Sequence, residues 1–141
     1  MEPQTFTAPV VGMFHRLKSF TDPTPAIAIL KFLPPETELV LEREPENPYD
    51  ANAVKVLVYG SSIPEDFSDL LEDEVAKNGF SANEIREREK PWHLGYIAKE
   101  YAVHLASLLD STGYEACFLQ FSSDSKPLAR ITMNLENEEE E

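Results

Sequence analysis

A chain of 141 residues with 42% hydrophobic content is long enough to bury a core without staples, and its composition is not that of a disordered protein. Its one cysteine excludes an internal disulfide, and no apolar run approaches the roughly 18 residues a membrane span needs. Twelve Lys and Arg against 26 Asp and Glu give a net charge of −14, which weighs against a general affinity for nucleic acid.

In chain order, residues 1–8 read as a flexible lead-in without the basic and apolar regions of a secretory signal. Residues 9–15 read as a first strand, with Gly12 marking a bulge or the close approach of another backbone. Prolines and polar residues make 18–25 a loop, and the apolar run 26–32 is compatible with a strand that Pro34 and Pro35 end. Two further strands, at 39–41 and 54–58, show a period near two. Between them Pro48 fixes its own φ and holds Asn47 out of the helical region, so residues 47–50 form a turn. Asp50 and Asn52 can bond nearby backbone amides, which makes a rigid corner that presents the Tyr49 ring and the Asp50 carboxylate.

Residues 61–90 differ in character, holding nine acids and four bases. Ser62 with Glu65 and Ser81 with Glu84 match capping boxes. Phe67, Leu70, Leu71 and Val75 fall on one helical face, and Gly79 supplies a stop. The segment reads as an acidic helical insertion whose charges form a solvated face or a protein-docking surface. Residues 92–97 return to strand character. A helix over 99–111 follows, with Tyr101, Ala102, Leu105, Leu108 and Leu109 on its stripe and Gly113 as its cap. Strands at 114–121 and 128–135 close the domain, which spans 9–135. The tail 136–141, with five acids and no base, is expected to be disordered. Strands outnumber helices, and their short connections predict a small antiparallel barrel, mainly β with α, of about six strands with one packed helix.

Chemistry-bearing patterns are few. His15, His93 and His104 are scattered, and one cysteine cannot build a thiolate zinc cluster, so no metal and no cofactor are expected. No nucleophile elbow or phosphate-cradling glycine loop occurs, so the chain is expected not to be an enzyme. Cys117 lies in an apolar run and reads as a buried small hydrophobe. Aromatic and cationic groups near strand ends, namely Phe14, His15, Tyr49, Tyr96 and Lys99, are of the kind that stack bases and hold phosphates on small barrels.

The run from Leu41 through Glu44, Pro45, Asn47, Pro48, Tyr49, Asp50, Asn52 and Ala53 to Val56 resembles the HIRAN domain family. Val10, Val11 and Gly12 before it, and Leu94 through Lys99 after it, carry the same resemblance, which covers about residues 9–121. It implies an OB-like six-stranded barrel with a packed helix. In fork-remodelling helicases of the SWI2/SNF2 type such a domain binds single-stranded DNA and captures a free 3′ end. By that resemblance the nucleic-acid-binding residues are Phe14, His15, Tyr49, Asp50, Tyr96 and Lys99. Tyr49 would stack on or support the terminal base, Asp50 would accept from the 3′ hydroxyl and Lys99 would neutralise a backbone phosphate. The domain is expected to be free-standing, soluble and intracellular, in cytoplasm, nucleoid or nucleus. Any remodelling would then fall to a helicase or nuclease partner. The alternative is an acidic protein-interaction module that docks a basic partner or mimics DNA.

Overall fold

The computed structural model describes residues 4–19 and 22–134. Among them, six antiparallel strands form one curled sheet in the order β2-β3-β4-β1-β6-β5. They are β1 (Thr5–Val11), β2 (Val40–Arg43), β3 (Val54–Val58), β4 (Trp92–Ile97), β5 (Tyr114–Phe121) and β6 (Pro127–Met133). The two edges of this sheet meet. The Glu36 amide donates to the Leu119 carbonyl, Leu119 N–H to Thr37 and Leu39 N–H to Cys117, each at 2.8 Å, so the chain entering β2 hydrogen-bonds to β5. The Tyr114 hydroxyl accepts from the Leu41 amide at 2.9 Å, and Arg130 grips Glu36 with two bonds of 2.6 and 2.8 Å. Curling in this way pairs edges that would otherwise stay open to other chains. The result is an OB-like, barrel-shaped β fold with helices.

The core is apolar and β-branched where strands cross it. Val54, Val56 and Val58 of β3, Leu94 of β4, Leu119 of β5 and Ile131 of β6 are all shut off from solvent. Helix α4 (Lys99–Ser111) buries Ala102, Leu105 and Ala106, at the i, i+3, i+4 spacing of an amphipathic face, while Tyr101 of the expected stripe is 45% exposed. The acidic segment forms α2 (Ser68–Ala76) and α3 (Ala82–Glu87). Ser81 and Glu84 make the predicted capping box, with Ser81 Oγ accepting from the Glu84 amide at 3.0 Å.

Four local expectations are corrected. Residues 26–32 hold a helix, α1 (Ala26–Lys31), which buries Ala26, Ala28 and Ile29. A short apolar run carries too little periodicity to separate the two states, and alanine favours the helix. The first strand ends at Val11, because Gly12 takes φ 87° and turns the chain into a 3₁₀ segment, Met13–Lys18. That strand begins at Thr5 within the expected lead-in, since Thr5 to Pro9 pair with Thr132 to Leu128 of β6. Ser62 and Glu65 do not cap one helix. Ile63 precedes Pro64 and is extended at ψ 123°, which splits the segment into two 3₁₀ turns, Gly60–Ser62 and Glu65–Phe67, ahead of α2. Leu71 and Val75 are buried as expected, whereas Phe67 and Leu70 stay partly exposed. Leu135 and the acidic tail lie outside the described residues, as do residues 1–3.

Candidate nucleic-acid interface

The corner between β2 and β3 is held by its own side chains. Asn47 Oδ1 accepts from the amides of Tyr49 at 2.8 Å and Asp50 at 3.0 Å, and Asp50 Oδ1 accepts from the Asn52 amide at 2.9 Å. Pro48, which has no amide to satisfy, fits between them. At the base of the corner the Glu44 amide donates to the Ala53 carbonyl at 3.0 Å, and Arg43 Nη1 donates to the carbonyls of Ala51 and Ala53 at 3.2 and 3.0 Å. So tied, the loop projects Tyr49 with its ring 90% exposed. The backbone beneath the ring is already ordered and has little entropy left to lose on binding.

The corner is also tied to the sheet beside it. Glu44 Oε1 accepts from Asn47 Nδ2 at 2.8 Å and from the Tyr96 hydroxyl at 2.7 Å. One carboxylate oxygen thus joins the loop to β4 across 52 positions of sequence. Partial burial raises the cost of ionising Glu44. The two donated hydrogen bonds and the charge of Lys55 more than offset this, and its pKa lies below the ordinary 4.5. For Tyr96, burial and donation to that carboxylate push the phenol up to about 12, so it remains a donor throughout the physiological range.

Behind Tyr96 stands His93, edge-on to its ring with centroids 4.8 Å apart. His93 is buried and its Nε2 lies 3.0 Å from the Gly95 carbonyl, an arrangement that suits a neutral ring with the proton on Nε2. Burial, aided by the charges of Arg16 and Lys55, pulls its pKa down to about 4. Gly95, two residues on, explains how β1 comes so close: a Cβ there would sit 2.5 Å from the Val11 carbonyl oxygen. Val11 and Tyr96 are register partners across this narrow pairing.

Tyr49 and Asp50 from the corner, Tyr96 from β4 and Lys99 from the start of α4 line one cleft of about 330 Å³, with Val11 and Asn47. Lys99 is the first residue of α4, where a cation opposes the helix dipole, so helix stability does not account for it. Four of the six predicted site residues therefore converge. Phe14 and His15 do not line the cleft; they are exposed in the 3₁₀ segment after β1, with Phe14 exposed to 78%. Sequence reasoning treated Asn47 only as a turn former and passed over Glu44 and His93. Glu44 does sit in the motif, three residues before Asn47, and that spacing was the available signal. Among the described residues no group of three or more His, Cys, Asp or Glu is placed to hold a metal ion.

The arrangement can stack a flat ring, accept a hydrogen bond at a carboxylate and neutralise an anion with one lysine. No curated protein matches the chain significantly. Among solved structures, the crystal structure of the HIRAN domain of human HLTF is similar at 20% identity and a TM-score of 0.48, over 91% of this chain and 74% of that one. The family model described as HIRAN domain matches residues 4–136, from the start of β1 to beyond β6 and through the whole cleft. The chain belongs to the HIRAN domain family.

Proposed function

We propose that the protein is a DNA-binding module whose cleft takes the free 3′ end of a single strand. The observation that carries this reading is the convergence of Tyr49, Asp50, Tyr96 and Lys99 around one cleft, with Tyr49 and Asp50 held by the Asn47 side chain. Tyr49 stacks on the terminal base, a contact worth roughly 1–3 kcal/mol. Asp50 has one carboxylate oxygen committed to the Asn52 amide, and the other is left to accept from a 3′ hydroxyl. A terminal phosphate would meet that carboxylate and be repelled. Lys99 neutralises a backbone phosphate, and the exposed Phe14 ring offers a platform for a preceding base. HIRAN domains are in general binding rather than catalytic domains, and remodelling of a fork would come from a helicase or nuclease partner.

Fluorescence anisotropy with labelled single strands ending in a 3′ hydroxyl or a 3′ phosphate tests the reading. The hydroxyl end is expected to bind more tightly. With one or two phosphates neutralised, affinity should fall only about three- to sevenfold between 50 and 200 mM salt. Tyr49→Ala should weaken both ends by roughly 5- to 150-fold, the stacking energy expressed as affinity. Asp50→Asn keeps an oxygen for the Asn52 amide but removes the charge, and should erase most of the discrimination. Equal and negligible binding to both ends at low salt would sink the proposal.

A further inference from the structure

A second cleft, of about 570 Å³, opens where α3 meets the start of β4. Its wall is aromatic. Phe80 meets Trp92 edge-on at 5.9 Å, and the Arg88 guanidinium lies over the Trp92 ring, 3.9 Å from its centroid. Trp92 is fixed from behind by donating its indole N–H to the Ile85 carbonyl at 2.9 Å. Arg88 is neutralised in place, with Nη2 3.2 Å from Asp22 Oδ1 and donating to the Pro91 carbonyl at 3.2 Å. Glu84 and Glu87 line the same cleft from α3 and are exposed, three residues apart and so on one face of the helix. Against the one cation Arg88, the three carboxylates of Asp22, Glu84 and Glu87 leave the lining at a net −2.

An acid-rimmed aromatic cleft repels phosphate, so it is no extension of a DNA path. We propose that it docks an arginine or lysine side chain presented by a segment of a partner protein. The aliphatic stem of such a side chain would lie along Phe80 and Pro23, with its charged head between Glu84 and Glu87. Glu84 Oε1 also accepts from the Ser81 amide at 3.3 Å in the capping box, whereas Glu87 ends α3 and has no capping role. The field around the cleft has the same sign, since residues 61–90 carry nine acids against four bases. That field would draw a basic segment in and orient it. The inference stands apart from the DNA reading, because none of these residues lines the first cleft.

Trp92 is the single tryptophan and its ring lines the cleft, so its indole N–H, held behind the wall by Ile85, gives one resolved NMR signal that reports on it. The experiment titrates the full chain with the peptide Gly-Arg-Gly-Arg-Gly, with Gly-Glu-Gly-Glu-Gly as control. The basic peptide should shift the Trp92 indole and the amides of α3 and Arg88 saturably, and the acidic one should not. Glu87→Lys should lower the apparent affinity about five- to tenfold. Glu89→Lys makes the same charge change at an exposed residue outside the lining and should leave affinity within about twofold. Equal weakening by both substitutions, non-saturating shifts, or shifts centred on the acids of α2 would mean general attraction to an acidic surface, and would overturn the proposal. A single-stranded oligothymidine that moved the Trp92 signal as the peptide does would assign the cleft to nucleic acid, and would also overturn it.

Discussion

Glu44 offers the sharpest test of how the cleft is built. Its Oε1 accepts two hydrogen bonds, from Asn47 Nδ2 at 2.8 Å and from the Tyr96 hydroxyl at 2.7 Å. A hydrogen bond to a charged acceptor contributes roughly 1.5–3 kcal/mol. Because Glu44 is half-buried the lower part of that range applies, and Glu44→Ala should cost about 2–4 kcal/mol in urea unfolding, with an unchanged slope. Glu44→Gln keeps an oxygen in reach of both donors and loses only the charge, so its cost should be about 1–2 kcal/mol. Acid should narrow the gap between wild type and Glu44→Gln. The folded-state pKa of Glu44 lies below 4.5, so its contribution is full above the unfolded value and is lost as pH falls through the folded one. A separate loss comes from His93, whose pKa of about 4 lies below the ordinary 6.5. Its contribution is present above 6.5 and fades as pH falls toward 4, and it largely cancels in the comparison. If Glu44→Gln were as damaging as Glu44→Ala at pH 7, or if the gap kept its size down to pH 3.5, the carboxylate would not be the tie described.

Gly95→Ala should destabilise the fold by about 1–3 kcal/mol in the same unfolding assay. Its new Cβ would sit 2.5 Å from the Val11 carbonyl oxygen, so β1 must move off β4, and single-strand affinity should fall with it because Val11 and Tyr96 both line the cleft. An Ala variant of wild-type stability would mean that the two strands are less closely apposed. Cys117 is buried, and burial pushes its thiol up to about 12. A thiol reagent at pH 8 should leave the native protein unmodified over hours yet label it promptly in urea, and fast native labelling would place Cys117 at the surface.

What could be read in the sequence was what local chemistry determines. The corner at Asn47, Pro48, Tyr49 and Asp50 was legible because one proline and three side-chain bonds, from Asn47 and Asp50, define it within six residues. The strands with clean alternation, such as β6 through Ala129, Ile131 and Met133, were legible because one face is buried and the other is not. Residues 26–31 were misread because five apolar residues in a row, Ala26 to Leu30, leave only Lys31 to mark a polar side, too little to show a period. Phe14 and His15 were misplaced because strand alternation was continued past Gly12, where a positive φ breaks it. Glu44 was passed over for a different reason. Its partner Tyr96 lies 52 residues away, and only the strand order β2-β3-β4 brings the end of β2 within reach of β4.

The same distinction bears on how a net charge of −14 sits with the proposed DNA cleft. Net charge is a sum over the chain, whereas a ligand meets the field at one place. None of the nine acids of residues 61–90 lines the cleft around Tyr49. Its lining holds one carboxylate, Asp50, and one cation, Lys99, and two further cations act on the groups beside it. Arg16 and Lys55 help to hold His93 neutral, Lys55 helps to keep Glu44 ionised, and Lys99 stands at the rim. Arg16 is held there by donating to the carbonyls of His93 at 3.3 Å and Asp22 at 3.5 Å, and Asp22 in turn belongs to the second cleft. A short structural path therefore separates a cleft lined by one carboxylate and one lysine from a cleft whose lining is net acidic. The acids of residues 61–90 leave the lining of the first cleft free, and two of them, Glu84 and Glu87, line the second.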